Sequence, residues 1–193
     1  MLTRDPVALF IQFFQRALPT FSPQAETLLS QVSEEDLQTR QFRYIFSVNT
    51  MIHISHMIED AAVQAVRPAE LHVSFQYLSR IEDQSLRYER IATRVAGLWL
   101  YAVPDTQLPS WPNIYFMDTS NSALVNYWFL VAYGPGLSMT LLAEEKSSET
   151  NKPHGRVYEG FYTFDEEIAY KLLNLLHLIF PTQVAPPVPP ELL

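Results

Sequence analysis

Apolar residues recur every three or four positions through the first third of the chain. In RDPVALFIQFFQRAL (residues 4–18), Leu9, Phe10, Phe13 and Phe14 form one stripe. Asp5 is a natural N-cap, and Pro6 suits the first helical position, where its missing N–H costs nothing. Pro19 ends this helix. Its stripe is expected to cover the protein's own core, a dimerisation or partner-docking helix being the alternative. Ser22-Pro23 opens a second short helix through Val32, and SEEDLQTR (33–40) makes a polar connection. A longer helix is predicted over FRYIFSVNTMIHISHMIEDAAVQAV (42–66). Its apolar-to-small face carries Ile45, Met51, Ile52, Ser55, Ile58 and Ala62, and Pro68 closes it.

The period then shortens. LHVSFQ (71–76) alternates apolar and polar residues and predicts a strand with His72 exposed. EDQSLRYERIATRV (82–95) returns to helical spacing, with Leu86, Ile91 and Val95 inward and Arg87, Glu89, Arg90 and Arg94 outward. GLWLYAV (97–103) is continuously apolar, as expected of a strand covered on both faces. NIYFMD (113–118) is a shorter strand. YWFLVAY (127–133) and LSMTLLAEE (137–145) flank Gly134-Pro135-Gly136, a strong hairpin signal. SSETNKPHG (147–155) is a loop, VYEGFYTF (157–164) a last strand, and 165–180 a helix stopped by Pro181. APPVPPELL (185–193) is proline-rich and predicts an extended tail. The expected fold class is α/β: a single mixed, largely open sheet with packed helices, preceded by an N-terminal helical extension.

Composition narrows the function classes. The chain has 193 residues, 48% of them hydrophobic and 18% charged, which is enough apolar material for a sizeable core. The formal net charge of −8 repels phosphate backbones, so direct nucleic-acid binding is not expected. No cysteine is present, which excludes disulfides, thiol catalysis and cysteine-ligated zinc. The apolar N-terminal run is broken by Gln12, Gln15 and Arg16 and lacks a signal-peptide cleavage site. No window reaches the roughly eighteen apolar residues of a membrane span. A cytoplasmic protein is expected.

Candidate chemistry is sparse. With 5 glycines in all, neither a dinucleotide fingerprint nor a phosphate loop is present. In HISHMIED, His56, Glu59 and Asp60 share a helix face, with His53 one turn earlier. Such a group can exchange protons or bind metal, but HExxH is absent. The plainer expectation is a polar helix edge whose carboxylates accept hydrogen bonds from backbone or arginine. His177, flanked by Leu175, Leu176, Leu178 and Ile179, is expected to be structural, and His154 falls in a loop. The aromatic share of 13% is high. Trp99, Tyr101, Trp111, Tyr115, Phe116, Tyr127, Trp128 and Phe129 could wall a pocket for a flavin, haem or bilin; packing is the favoured expectation.

HMIED, VSFQYLSR, RYERIATRV, WFLVAYGPGLSMTLLAEE and YEGFYTFDEEIAYKLL occur in that order over roughly residues 45–180. Together they resemble the DICT domain, a sensory domain named for its occurrence in diguanylate cyclases and two-component systems. That family often carries Trp-Thr-Phe-Asp-Pro where this chain has Tyr162-Thr163-Phe164-Asp165-Glu166. The expected domains are an N-terminal helical extension at 1–40, the sensory domain of the resemblance at 41–181 and a proline-rich tail at 182–193. The resemblance implies a cyanobacterial-type regulatory protein with a link to light, and it supplies no catalytic residues and no agreed cofactor. No output module such as a GGDEF, EAL or kinase domain is legible in the chain. The leading expectation is therefore a non-catalytic adaptor acting through a partner kinase, response regulator or cyclic-di-GMP enzyme, with a homodimer through the N-terminal helix as a further option. A small-molecule or chromophore receptor using His56 or His177 as a polar contact is the alternative, and an enzyme using the His56/Glu59/Asp60 face the weaker third. The candidate binding residues are His56, Glu59, Asp60, Trp128, Tyr158 and Tyr162.

Overall fold

The computed structural model of the chain describes residues 5–18, 45–146 and 156–193. The predicted helix at 22–32, the connection after it and the loop at 147–155 lie outside the described residues. Four helices are described: α1 (Pro6–Ala17), α2 (Val48–Gln64), α3 (Ser85–Ala92) and α4 (Glu166–Ile179). Seven strands are β1 (Ile45–Ser47), β2 (Glu70–Tyr77), β3 (Gly97–Val103), β4 (Ile114–Asp118), β5 (Tyr127–Gly134), β6 (Leu137–Glu145) and β7 (Val157–Thr163). They form one mixed open sheet in the order β1-β7-β6-β5-β2-β3-β4. β3 runs parallel to both β2 and β4, and every other neighbouring pair is antiparallel.

Both faces of the sheet are covered, which is why β3 reads as an unbroken apolar run. One face packs α2, α3 and the 3-10 turns of Leu78–Gln84 over a core that includes Met51, Ile58, Val73, Tyr88, Leu100 and Leu130. The other packs α1 and α4 over Phe10, Phe14, Tyr101, Phe129, Leu172 and Leu176. Phe10 and Phe14 of the α1 stripe are thus buried in the protein's own core, and Phe13 is partly buried beside them. Phe10 and Phe14 meet Tyr127 edge-on at 5.2 and 5.3 Å, a favourable ring geometry. Asp5 caps α1 by accepting from the Val7 N–H.

Four local expectations are corrected. Residues 45–47 are not helical: they pair with Val157–Glu159 as the edge strand β1, and the Ser47 hydroxyl then caps α2 by accepting from the Thr50 N–H. Ile45 therefore belongs to a strand, and Ile54 and Glu59 join Met51, Ser55, Ile58 and Ala62 on the buried face of α2. Leu86 is not inward but 82% exposed, and Tyr88 is buried in its place. The 3-10 turns before α3 advance the chain by three residues per turn, which changes the phase of the inward stripe. His72 is not exposed but 1% accessible, because the second face of β2 is covered as well.

The β7–α4 junction follows its local signals. Tyr158 and Phe161 point to opposite faces, and Asp165 caps α4 by accepting from the Glu167 and Ile168 N–H groups. A Cβ on Gly160 would collide with Ala143 and the Leu142 carbonyl, so glycine lets β6 and β7 approach. Gly136 has φ +76° in the β5–β6 turn, a conformation that glycine adopts without strain. Ala169 and Leu173 complete the buried stripe of α4 with Leu172 and Leu176, whereas Ile168 and Leu175 lie at its margins.

Candidate functional site

The sheet-facing side of α2 brings polar groups into the apolar layer beneath α3. Ser55, His56 and Glu59 lie on neighbouring turns of that side, and β5 places Trp128 opposite them. Together with Phe75, Gln84 and Tyr88 they line a narrow cleft. The space between them is on the order of a single water molecule.

Glu59 is 1% exposed and would be costly to bury ionised without partners. Both of its oxygens are engaged. The Tyr88 hydroxyl donates to Oε1 at 2.5 Å, and Arg87 Nε donates to Oε2 at 2.5 Å. Arg87 also reaches Asp60 Oδ1 at 2.8 Å and the His56 carbonyl at 3.1 Å. One guanidinium therefore ties α3 to three groups of α2. Burial, and then the Glu59 charge and hydrogen bond, hold the Tyr88 hydroxyl well above the usual phenol range, so it stays a donor. Burial works against the Arg87 charge, but the Glu59 and Asp60 carboxylates outweigh it and raise the guanidinium further.

The remaining lining groups are also paired. His56 Nε2 lies 2.9 Å from Gln84 Oε1, within hydrogen-bonding distance. Trp128 Nε1 donates to Ser55 Oγ at 3.2 Å. The Trp128 ring stands edge-on to Tyr158 at 5.4 Å. Tyr158 in turn donates to Glu145 Oε2 at 3.3 Å, and burial followed by the Glu145 charge pushes its hydroxyl up to about 12. Beyond it, Gln76 donates to the same carboxylate at 2.5 Å and accepts from Arg80 and Arg156. A chain of side-chain contacts thus runs from α2 across β5 and β7 to the far end of β2.

Of the six residues singled out in the sequence, His56, Glu59 and Trp128 share the cleft, and Asp60 joins it through Arg87. Tyr158 touches the cleft only through Trp128. Tyr162 stands apart, packed against Phe164 with ring centres 6.5 Å apart. Arg87 and Tyr88 were missed as members of the group. Their signal was the RY pair in RYERIATRV, which only the pairing of α3 with α2 connects to Glu59. His177 donates through Nδ1 to the Val184 carbonyl at 2.7 Å, a structural role. Trp99 stacks between His72 at 4.5 Å and Tyr115 at 4.8 Å, and Tyr101 meets Phe129 edge-on at 5.1 Å. These rings pack against one another. Among the described residues, no group of three or more His, Asp or Glu side chains is placed to hold a metal ion. No helix among them is long and apolar enough to cross a membrane.

Residues 26–146 match the family model described as DICT, the sensory domain in diguanylate cyclases and two-component systems. The matched span covers β1 to β6 with α2 and α3, and it ends before β7 and α4. No curated protein matches the chain.

Proposed function

The chain belongs to the DICT family of sensory domains, and from that premise we propose that it is a non-catalytic module that relays its signal to a partner docked on the outer side of α2 and α3. The reading is carried by one observation: the helices are locked together by the Glu59–Arg87–Tyr88 group while large apolar side chains point away from the core. Met57 on α2 is 42% exposed and Leu86 on α3 is 82% exposed. Apolar side chains on a rigid pair of helices suit helix-to-protein docking. Glu59 is 1% exposed and each of its oxygens already accepts a hydrogen bond from α3, which favours a non-catalytic role.

The family's occurrence in diguanylate cyclases and two-component systems supports the reading that the partner is a kinase, a response regulator or a cyclic-di-GMP enzyme. The chromophore reading needs room for a flavin, haem or bilin, and the cleft between His56 and Trp128 holds about one water. The α1 stripe, packed on its own sheet, does not favour a homodimer through that helix.

A photo-crosslinking amino acid at position 57, introduced into the chain in its host, tests the docking face. The expected result is one discrete adduct containing a kinase, receiver or cyclic-di-GMP module, with none from the same group at exposed Lys171 on the opposite face. Equal adduct patterns at the two positions would sink the proposal. A visible absorption band in protein purified from the host would favour the receptor reading instead.

A further inference from the structure

The segment after α4 does not leave the fold. Gln183 and Val184 turn back through N–H bonds to the Phe180 carbonyl at 3.1 and 2.9 Å. The chain then lies along the sheet face that carries α1 and α4. Trp99 Nε1, from β3, donates to the Gln183 carbonyl at 3.2 Å. The Tyr133 hydroxyl, from β5, donates to the Val188 carbonyl at 2.7 Å. His177 Nδ1, from α4, donates to the Val184 carbonyl between them. Because β2 lies between β3 and β5, the segment passes across three strands.

The chemistry of this contact is specific. All three contacts run from a ring donor to a main-chain carbonyl. Pro186, Pro187, Pro189 and Pro190 have no N–H, so most of what the segment can offer is carbonyl oxygen. Pro189, at φ −58° and ψ 146°, has polyproline II geometry, and from Pro190 to Leu192 the chain closes into a 3-10 turn in which the Pro189 and Pro190 carbonyls accept from the Leu192 and Leu193 N–H groups. Two apolar anchors complete the hold: Val184 is 2% exposed, and Leu193 packs on the core of this face. Aromatic rings with outward N–H and O–H donors facing a proline-rich chain are the elements by which proline-rich peptides are recognised in general.

The hold is light. Ala185, Pro186, Val188, Glu191 and Leu192 are exposed. Segments with few buried contacts open at small cost. What keeps this one seated is its attachment, which supplies an effective concentration on the order of millimolar.

We propose that the groove formed by Trp99, Tyr133 and His177 is a binding site for a proline-rich segment of a partner protein, and that residues 183–193 are its resident, displaceable occupant. The groove lies on the sheet face opposite α2 and α3, so it stands or falls independently of the docking surface proposed above. Exchange would uncover the edge of the Trp99–Tyr115 stack, where Tyr115 is already 46% exposed.

The probe is a fluorescein-labelled peptide of residues 182–193, added to the full chain and followed by fluorescence anisotropy. The wild-type chain, already occupied, should bind weakly. Val184→Asp, which removes the buried anchor, should raise the apparent affinity roughly tenfold or more by freeing the groove. Adding Tyr133→Phe to that variant should return binding to the wild-type level, and a peptide with its prolines replaced by alanine should bind roughly tenfold more weakly. Hydrogen exchange over 183–193 and circular dichroism verify that the segment is loosened and the fold intact. Should Val184→Asp fail to fold, Pro186→Gly with Pro187→Gly loosens the segment through its more exposed part. A folded, loosened chain that takes up no peptide, or takes up the alanine peptide equally well, overturns the proposal. So does a loosened chain that dimerises by exchanging its own segments while ignoring free peptide.

Discussion

His72 shows at the scale of one residue how an alternating pattern can mislead. It occupies a polar position between Leu71 and Val73, yet its ring is buried, stacked on Trp99 and 2.8 Å from the Tyr101 hydroxyl through Nδ1. Nε2 has no hydrogen-bond partner among the described residues, and the Glu70 carboxylate stands 3.7 Å away, too far for one. Burial lowers the His72 pKa, and Glu70, 42% exposed, opposes this only in part. The sign of the pH effect follows. The unfolded imidazole takes up a proton as the pH drops through about 6.5, whereas the folded one does so only at lower pH. The unfolded state then binds more protons, so stability should fall as the pH drops below about 6.5. In His72→Phe, which keeps a stacking ring and cannot titrate, urea midpoints across that range should lose this component of the slope. An unchanged slope would mean that His72 titrates alike in both states.

At the scale of elements, the contact between α2 and α3 depends on one arginine. Arg87 is 22% exposed and spans Glu59, Asp60 and a carbonyl of α2. Arg87→Ala would leave the Glu59 charge buried with only the Tyr88 hydroxyl, and should cost about 3 kcal/mol in urea unfolding, the low end for breaking a buried pair because Arg87 touches solvent. Adding Glu59→Gln removes the stranded charge and should recover part of the loss, a non-additivity expected of direct partners. Additive effects of the two substitutions would show that the pair is not coupled. Local signals foretold the cap of α1 and the glycine turn of the β5–β6 hairpin. They did not foretell β1, because three residues beside a helix carry no period of their own, and their strand geometry comes from pairing with β7.

At the scale of the whole molecule, two apolar layers share one sheet. Phe10 on α1 is fully buried against Tyr127 and Phe129 of β5, a strand whose other side faces α2. Phe10→Ala should therefore cost about 3–5 kcal/mol, the range for removing a large buried ring. The loss should be felt in both layers at once. Tryptophan fluorescence, which reports on Trp99 and Trp128 from opposite faces, should show one transition coincident with circular dichroism. Separate transitions would mean that the layers unfold independently.

What the sequence determined by itself was whatever depends on neighbours along the chain. Helical and alternating periods marked the main elements, Asp5 and Gly136 their ends, and the ordered motifs the family. Asp60 and Glu59 could be placed beside His56 because one helix carries all three. The partners of those groups depended on tertiary structure, since Arg87 and Tyr88 lie 27 to 29 positions away and meet Glu59 and Asp60 only when α3 lands on α2. The same holds for the burial of His72, which follows from helices covering both faces of the sheet. It holds too for the proline-rich segment, whose carbonyls find Trp99 and Tyr133 across 84 and 55 positions of chain. Contacts at such separations follow from which surfaces are left to bury once the elements have formed, and no local pattern encodes that.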